Sequence, residues 1–481
     1  MAHIPLQYAR HHGFLAVGSG PDGIHIRCLE GVDPQAWWNL GAYFGRPLIP
    51  VIETDRSKLL NDIDLSYQRT EANSGTSALE DAAVAAGSQA GILDLDRAIS
   101  SADRDLLSTQ GKVALVQLVD RLLLHAVEHG ASDVHVQPTA DAVLIRYRLD
   151  GVLDLGRPLP TSLVRPLVSR IKVMARMDVA ERLIPQDGRT TVCVGGHAID
   201  VRISTIPTAY GERVVLRLLD AQRQLMDMPG LGMPASVAEA FRKIAGRSSG
   251  IVLVTGPTGS GKTTTLYATL RSLDAASRNV MTIEDPIEYE LSAVGIPVSQ
   301  SQINLKKGVS FASGLRHILR QDPDVIMVGE IRDTETARIA IQASLTGHLV
   351  FSTLHTNDAA SAVTRLIDLG VEPYLVASSL SAVLAQRLVR TSCASCQGTG
   401  VREDGPCVSC SGSGYKGRGG LFELLTIDES LRTLIANGCT AVELRTAANA
   451  QGMRTLAEAG ADLVQSGKTT AAEVERVIHH G

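Results

Sequence analysis

The alternation of apolar and polar residues predicts an α/β protein with several domains. Near the N-terminus, residues 24–29 alternate as a half-buried strand does, and helical patterns follow at 33–44 and 56–67. We interpret residues 1–70 as a small α/β domain. Residues 71–111 are rich in Ser, Ala, Asp and Gly with weak periodicity, which indicates a flexible linker.

Residues 112–225 combine a strongly amphipathic helix with several strands. The helical spacing runs from residue 112 to Gly130, a residue suited to ending a helix. The other predicted elements are strands at 133–137, 142–150 and 213–218, a helix containing Ile171, Met174 and Val179, and a hairpin over 190–204 that turns at Gly195-Gly196. This second domain closes near residue 225, and a Met-, Pro- and Gly-rich connector follows at 226–234.

An apolar run at residues 251–255 is fit for a buried strand, and residues 264–270 can continue as a helix. Between them stand Gly256, Pro257, Thr258, Gly259, Ser260, Gly261, Lys262 and Thr263, a full match to the phosphate-binding loop G-x-x-x-x-G-K-[ST]. In this order, backbone N–H groups can wrap a polyphosphate at a helix N-terminus. Lys262 would add a charge on the β- and γ-phosphates and the Thr263 hydroxyl a ligand to Mg²⁺, with Thr264 beside them. The chain is therefore predicted to bind ATP or GTP.

Composition narrows the class of protein. At 481 residues the chain is too long for one core, and about three domains are expected. The net charge of −5 excludes a protein built to coat nucleic acid or anionic lipid. The sequence shows neither an apolar run of membrane-spanning length nor a signal peptide, so we expect a cytoplasmic protein that reaches a membrane only through a partner.

Four of the seven cysteines are regularly spaced. Cys393, Cys396, Cys407 and Cys410 form two C-x-x-C pairs. In a reducing cytosol this spacing predicts tetrahedral zinc and not disulfides. No histidine or open position accompanies the set, so the site is predicted to be closed and structural.

Two further apolar strands end in acidic residues. One ends in Glu330, and an earlier one ends in a turn that holds Glu284 and Glu288. In phosphate-loop enzymes such a strand lies beside the first, and its terminal carboxylate reaches the metal, usually through water. We predict this role for Glu330. A carboxylate of the earlier turn could orient the attacking water, and a solvated turn is the alternative.

Histidines flank the apolar strand at residues 349–352. His348 precedes the strand and His355 follows it, and we expect both near the same edge of a sheet. A lone histidine is usually a structural residue. For two histidines on one strand, a catalytic role and a structural role are about equally expected.

Arginines recur on strand faces of the second domain. Arg213 and Arg217 share one face of their strand, and Arg202 projects opposite its apolar neighbours. Such a face is either a solvated surface or a dock for phosphate, where guanidinium groups act as arginine fingers do.

These motifs occur together in an order that resembles the secretion ATPase superfamily, which powers type II secretion and type IV pilus assembly. They are residues 256–263, 282–288, 324–333 and 346–357, preceded by 131–135, 146–151, 184–189 and 211–213. The resemblance covers residues 112–481. One departure is Gln137, where the family pattern usually has Glu.

The resemblance implies a RecA-like motor domain at residues 235–391, after a PAS-like α+β domain at 112–225. It also implies a zinc-binding element at 392–420 and a helical subdomain at 421–481. The short first domain is similar to that of type II secretion enzymes, so residues 1–70 are expected to dock on the cytoplasmic domain of an inner-membrane platform protein.

The resemblance also assigns roles to the site residues. Lys262 and Thr263 would bind nucleotide and Mg²⁺, and Glu330 would support the metal. Glu288, or less favourably Glu284, would position water. Arginines would reach the nucleotide, with Arg202 and Arg217 favoured over Arg316, Arg320, Arg332 and Arg418.

The implied function is a hexameric ATPase on the cytoplasmic face of the inner membrane, without membrane insertion and without nucleic acid. ATP hydrolysis would drive pseudopilus assembly and the export of folded proteins. A pilus or competence-pilus assembly ATPase is the nearest alternative, because it uses the same motor. Two other classes are a DNA-translocating ATPase, which would need a basic surface, and a nucleotide-gated scaffold without useful turnover.

Overall fold

The computed structural model divides the chain into two compact units. The first consists of residues 1–121 and 193–197, and the second of residues 122–192 and 198–481. The structure describes residues 109–479 apart from 155, 195–196, 220–225, 274–276 and 404, and residues 4, 9, 12–20, 23–29, 32, 36–37, 40, 44, 47–55, 58–59 and 62. Residues 71–108 of the predicted linker, most of the helices predicted at 33–67 and the Gly195-Gly196 turn lie outside the described residues.

The first unit contains a three-stranded sheet in the order β1-β2-β3. Its strands are β1 (Leu15–Gly20), β2 (Gly23–Leu29) and β3 (Leu48–Glu53). β2 pairs antiparallel with β1 and parallel with β3. Ile24, Ile26 and Cys28 of β2 are buried, as its alternation predicts, and they join Phe14 and Leu59 in one core. The strand pattern was evident only for β2 in the sequence.

The part of the chain predicted as a second domain contains a seven-stranded sheet. Its elements are α1 (Thr109–Glu128), β4 (Asp133–Pro138), β5 (Val143–Leu149), β6 (Val152–Leu153), β7 (Arg157–Leu159), α2 (Val164–Met174), β8 (Gln186–Val194), β9 (His197–Thr208) and β10 (Gly211–Leu219). The sheet order is β6-β5-β4-β10-β9-β8, and β7 pairs with β5. Gly130 adopts φ 67°, the left-handed conformation that glycine supplies after a helix. The predicted inclusion of Val179 in α2 is wrong, because Arg176 turns to φ 55° two residues after the helix ends.

A second seven-stranded sheet carries the phosphate-binding loop. The elements here are α3 (Ala235–Ala245), β11 (Gly250–Thr255), α4 (Lys262–Ser272), β12 (Val280–Glu284), β13 (Val298–Gln302), α5 (Phe311–Ile318), β14 (Val325–Val328), α6 (Thr334–Leu345), β15 (Leu349–Leu354), α7 (Ala359–Asp368), α8 (Pro373–Ser379), β16 (Leu380–Ser392), β17 (Val401–Arg402), β18 (Gly405–Pro406) and β19 (Tyr415–Thr426). The sheet order is β13-β12-β14-β15-β11-β16-β19, with β17 and β18 as a separate pair. All pairs in the large sheet are parallel except β16 with β19.

The large sheet is covered on both faces. Ile251 and Leu253 of β11 belong to one apolar cluster, whereas Val252 and Val254 belong to another. Since successive side chains of a strand point to opposite faces, the two clusters lie on the two sides of the sheet. A parallel strand buried on both faces reads as a continuous apolar run, and this is the reason that residues 251–255 show no alternation.

Four helices end the chain: α9 (Glu429–Ala436), α10 (Ala441–Ala450), α11 (Leu456–Gln465) and α12 (Ala471–His479). The buried carboxylate of Glu473 holds α12 against β16, because it accepts a hydrogen bond from Arg390 of β16 at 2.7 Å. It also accepts one from Arg476 of the same helix at 2.6 Å. Burial raises the pKa of Glu473, but these arginines outweigh burial and lower it to about 2. None of the helices in the described part of the chain is long and apolar enough to cross a bilayer.

Candidate active site

The phosphate-binding loop lies at the carboxyl edge of the parallel strands. It follows Thr255, the last residue of β11, and Thr255 is paired with Leu354 at the end of β15. Gly256, Gly259 and Gly261 adopt φ of 151°, 80° and 85°. Gly256 tolerates no side chain, because a Cβ there would lie 2.4 Å from the carbonyl oxygen of Gln386. The remaining loop residues are Pro257, Thr258 and Ser260, with Lys262, Thr263 and Thr264 in the first turn of α4.

Lys262 is buried in the concave side of the loop. Its ammonium donates to the carbonyl oxygens of Gly256 at 2.8 Å and Pro257 at 3.0 Å. Burial, opposed by the charge of Glu330, lowers its pKa to about 8. The Thr263 hydroxyl, one residue later, belongs to an exposed side chain. A cation inside the loop and an exposed hydroxyl at the helix N-terminus fit a phosphate group with an associated metal ion.

Glu330, His355 and Arg332 form a chain of polar contacts that reaches Lys262. Glu330 is bonded to Arg332 at 2.5 Å and to His355 Nε2 at 3.3 Å. The Nδ1 atom of the same imidazole lies 3.5 Å from the Lys262 ammonium. Burial raises the pKa of Glu330, but Arg332 and His355 outweigh it, and the pKa lies below its usual value. Glu330 is therefore a carboxylate at neutral pH, and His355 connects it to Lys262.

The two acids after β12 have different environments. Glu284 is buried and bonded to Tyr267, to the Thr282 hydroxyl at 2.5 Å and to the Gln300 amide at 3.0 Å. Glu288 is about one-third exposed and lies 3.9 Å from the Arg202 guanidinium. A carboxylate with its oxygens already bonded is poorly placed to accept a proton from water. The geometry therefore favours Glu288 over Glu284 as the group that orients water.

Of the two favoured arginine candidates, Arg202 is the one that contacts Glu288, at 3.9 Å. It is directly opposite Arg217 in the β9–β10 pairing, so both project on one face of the sheet. Arg217 is bonded to Asp133 at 2.9 Å. The weaker candidates are also engaged: Arg316 with Glu335, Arg320 with the Arg316 carbonyl, Arg332 with Glu330 and Arg418 with Asp150.

The four regularly spaced cysteines form a buried cluster. Their sulfur atoms all lie within 4.8 Å of one another, including 4.0 Å between Cys393 and Cys407 and 3.7 Å between Cys396 and Cys410. Tetrahedral zinc with Zn–S bonds of about 2.3 Å requires sulfur separations of about 3.8 Å. The N–H groups of Gly400 and Gly414 each donate to a sulfur at 3.3 Å, as they would to a thiolate. The cluster can hold a metal ion.

Comparison with known proteins identifies the family of the chain. Residues 108–476 match the family described as Type II/IV secretion system protein. The chain belongs to this secretion ATPase family. Type II secretion system protein HxcR of Pseudomonas aeruginosa is 50% identical over 404 residues, 82% of this chain and 84% of that protein. Type II secretion system protein E of Klebsiella pneumoniae is 44% identical over 493 residues, 98% and 96% of the two chains.

Solved structures give the same fold. The pilus retraction motor PilT with bound ADP is 28% identical, with a TM-score of 0.53 over 74% of this chain and 95% of that chain. The ATPase DotB of Legionella pneumophila is 23% identical, with a TM-score of 0.59 over 76% and 96%. The predictions of the superfamily, of an α/β fold with a RecA-like motor domain and of ATPase activity are confirmed.

The expectation that both histidines of this secretion ATPase lie near one sheet edge is wrong. His348 precedes β15 and its carbonyl accepts from Gly250, the first residue of β11, whereas the phosphate-binding loop follows the last residue. A six-residue strand separates the two edges by roughly 20 Å. The His348 ring is bonded to the carbonyl of Ala343 at 2.8 Å, so it satisfies a carbonyl in the last turn of α6. Of the two histidines, His355 is the one that lies beside Lys262.

Two buried polar residues that pack against the phosphate-binding loop were not predicted from the sequence. Gln386 and Arg387 lie in the middle of β16 and are almost fully buried. Gln386 accepts a hydrogen bond from Thr265 of α4 at 2.6 Å. The available signal was the pattern itself, since a polar pair interrupts an otherwise apolar run from Ala382 to Val389.

Proposed function

We propose that the chain is the ATPase motor of a type II secretion system and that it drives pseudopilus assembly and the export of folded proteins across the outer membrane. The observation that carries the proposal is the line of contacts from Lys262 through His355 to Glu330, at the edge where Arg202 meets Glu288. This edge combines a phosphate-binding lysine with carboxylates for the metal and for water. The relatives that match the chain support the choice of system, among them type II secretion system ATPase E of Vibrio cholerae, 47% identical over 396 residues.

In this proposal Lys262 and the N–H groups of the loop bind the β- and γ-phosphates of ATP. Thr263 and Glu330 would hold Mg²⁺, which neutralises charge on the phosphates. Glu288 orients the attacking water and accepts its proton, while Arg202 and Arg217 approach the nucleotide from the second domain. Because Arg202 lies 3.9 Å from Glu288, its move to phosphate would also release that carboxylate for water.

We further propose the assembly in which this motor works. Six copies form a homohexamer, and residues 1–70 dock on the cytoplasmic domain of an inner-membrane platform protein. The chain is then a cytoplasmic protein held at the inner face of that membrane. Domain movement about the connector at residues 226–234 passes the energy of hydrolysis to the platform. The assignment of residues 1–70 is supported by alignment, because the type II secretion system protein E of Klebsiella pneumoniae aligns along 98% of the chain and so shares this first domain.

Secretion in the source bacterium tests the choice of system. Deleting the gene should abolish the release of type II substrates into the medium, and wild-type chain should restore it while a Glu330→Gln chain should not. Secreted proteins are measured by immunoblotting of the medium, and surface pili are counted in the same strains. Normal secretion with lost pili would refute the proposal in favour of pilus assembly.

We propose zinc as the ion of the cysteine cluster. The purified chain should contain about one zinc per chain by atomic emission, and the double replacement Cys393→Ser with Cys410→Ser should remove it, because two ligands cannot hold a closed site. Cys439→Ser is the matched control, since Cys439 lies outside the cluster. Zinc retained by the double variant, or a different metal in the wild type, would contradict this assignment.

A further inference from the structure

Arg387 is a fully buried cation in the centre of the motor domain. It lies in β16 and is 2% exposed. Burying a guanidinium group costs free energy unless its N–H groups find hydrogen-bond acceptors. The acceptors of Arg387 therefore indicate which parts of the fold it stabilises. Among the described residues it has no carboxylate in direct contact: Glu423 and Asp358 act on it only through their charge. Its hydrogen bonds go instead to Asn357 in the loop after β15 and to the carbonyl of its own neighbour Gln386 in β16.

The first contact is with the loop after β15. One guanidinium nitrogen of Arg387 donates to the carbonyl oxygen of Asn357 at 2.8 Å and to its side-chain oxygen at 3.3 Å. Two residues earlier in this loop stands His355, which contacts Lys262 and Glu330. Arg387 therefore fixes one end of the short loop that carries the imidazole.

The second contact is by packing, because Arg387 and the Gln386 carbonyl lie directly beside Gly256 at the start of the phosphate-binding loop. The second terminal nitrogen of the guanidinium group, Nη1, donates to the carbonyl oxygen of Gln386 at 3.2 Å. This carbonyl is the atom that leaves no room for a Cβ at Gly256, and the same guanidinium nitrogen lies 3.2 Å from that Cβ position. The Gln386 side chain in turn accepts from Thr265 of α4. One cation thus supports the start of the phosphate-binding loop and the histidine loop at once.

We infer that Arg387 is a positioning residue for ATP hydrolysis, which holds the 355–357 loop against the phosphate-binding loop so that His355 stays between Lys262 and Glu330. It acts through these groups and touches no reacting atom. The loop has a second anchor, because the Thr255 hydroxyl bonds Thr356 at 2.7 Å. Thr255 fixes the middle of the loop, and Arg387 fixes its end.

The inference rests on the proposed ATPase site and is tested with the full-length chain. Replacing Arg387 with Met should lower kcat by about tenfold to a hundredfold, because small displacements of catalytic groups cost rates of this size. KM for ATP should change by less than about threefold, since Lys262 and the loop backbone remain. Arg387→Lys keeps the charge but can serve fewer carbonyls, and it should recover part of kcat.

Arg432→Met is the matched control. Arg432 also donates to two backbone carbonyls, those of Ala377 at 2.7 Å and Ser378 at 3.1 Å, and neither belongs to the site. Loss of this arginine should leave kcat within about twofold, even where thermal stability falls. An equal loss of kcat in both variants would reduce Arg387 to a structural residue and overturn the inference, as would a wild-type kcat in Arg387→Met.

Hydrogen exchange gives a readout that does not depend on activity. In the nucleotide-free chain, the peptide spanning residues 354–360 should exchange at least about tenfold faster in Arg387→Met than in wild type or Arg432→Met. Unchanged exchange there would refute the inference. Wild type and Lys262→Ala are assayed in parallel: if they hydrolyse ATP equally slowly, the proposed function fails, and hydrogen exchange still decides the role of Arg387.

Discussion

Replacing Lys262 with alanine is expected to lower ATP turnover by about a hundredfold to a thousandfold, the usual cost of losing one group that stabilises charge in a transition state. Lys262 is 8% exposed, and its ammonium already lies inside the phosphate-binding loop, bonded to the carbonyls of Gly256 and Pro257. The loop surrounds the charge of Lys262, and no other lysine among the described residues is bonded to the loop. Steady-state phosphate release by the purified chain measures the effect.

Lys243→Ala is the control for this experiment. Lys243 lies on the exposed surface of α3 and pairs with Glu239, one turn away on the same helix. Exposed pairs of this kind contribute little, so turnover should stay within about twofold of wild type. If Lys262→Ala kept more than about a tenth of the wild-type rate, the phosphate-binding role of the lysine would be wrong.

The local parts of the site could be predicted because each is a short segment. The strand, loop and helix around Lys262 are contiguous, and the spacing of glycines encodes the backbone conformation. The cysteine cluster is similar, since two C-x-x-C pairs define their own turns. In both cases the sequence order places the groups, and the structure adds only distances.

The pairing of strands is what the sequence could not supply. His348 and His355 are near neighbours in the chain, and the expectation that they share an edge fails because one strand lies between them. Conversely, Arg387 is distant from Asn357 along the chain, yet the two are bonded because β16 and β15 both flank β11. Contacts across a sheet depend on strand order, which hydrophobic periodicity does not report.

Burial separated the two acids that the sequence left open. Glu284 and Glu288 are four residues apart, and either could orient water by spacing alone. The chain turns after β12, so Glu284 remains in the core beside Tyr267, whereas Glu288 emerges near Arg202. The carboxylate of Glu284 therefore belongs to a structural hydrogen-bond network, whereas the carboxylate of Glu288 remains available to orient water.

Glu330→Gln is expected to lower the rate of a single turnover of ATP by about a hundredfold, while nucleotide affinity stays within about threefold of wild type. The change keeps the size of the side chain but removes the charge, and Glu330 is a carboxylate at neutral pH because Arg332 and His355 outweigh the effect of burial on its pKa. A neutral amide cannot balance a metal ion beside the phosphates. Rapid-quench measurement of ADP formation separates this chemical step from product release.

Glu239→Gln is the control for Glu330→Gln, since Glu239 is two-thirds exposed on α3 and should leave the rate unchanged. The comparison also decides between a motor and a nucleotide-gated scaffold. A scaffold needs Lys262 to bind nucleotide but gains nothing from Glu330, so its slow hydrolysis would be the same in both variants. A hundredfold difference, together with retained binding, is possible only if the chain has a catalytic carboxylate at the end of β14, and equal rates would contradict the motor.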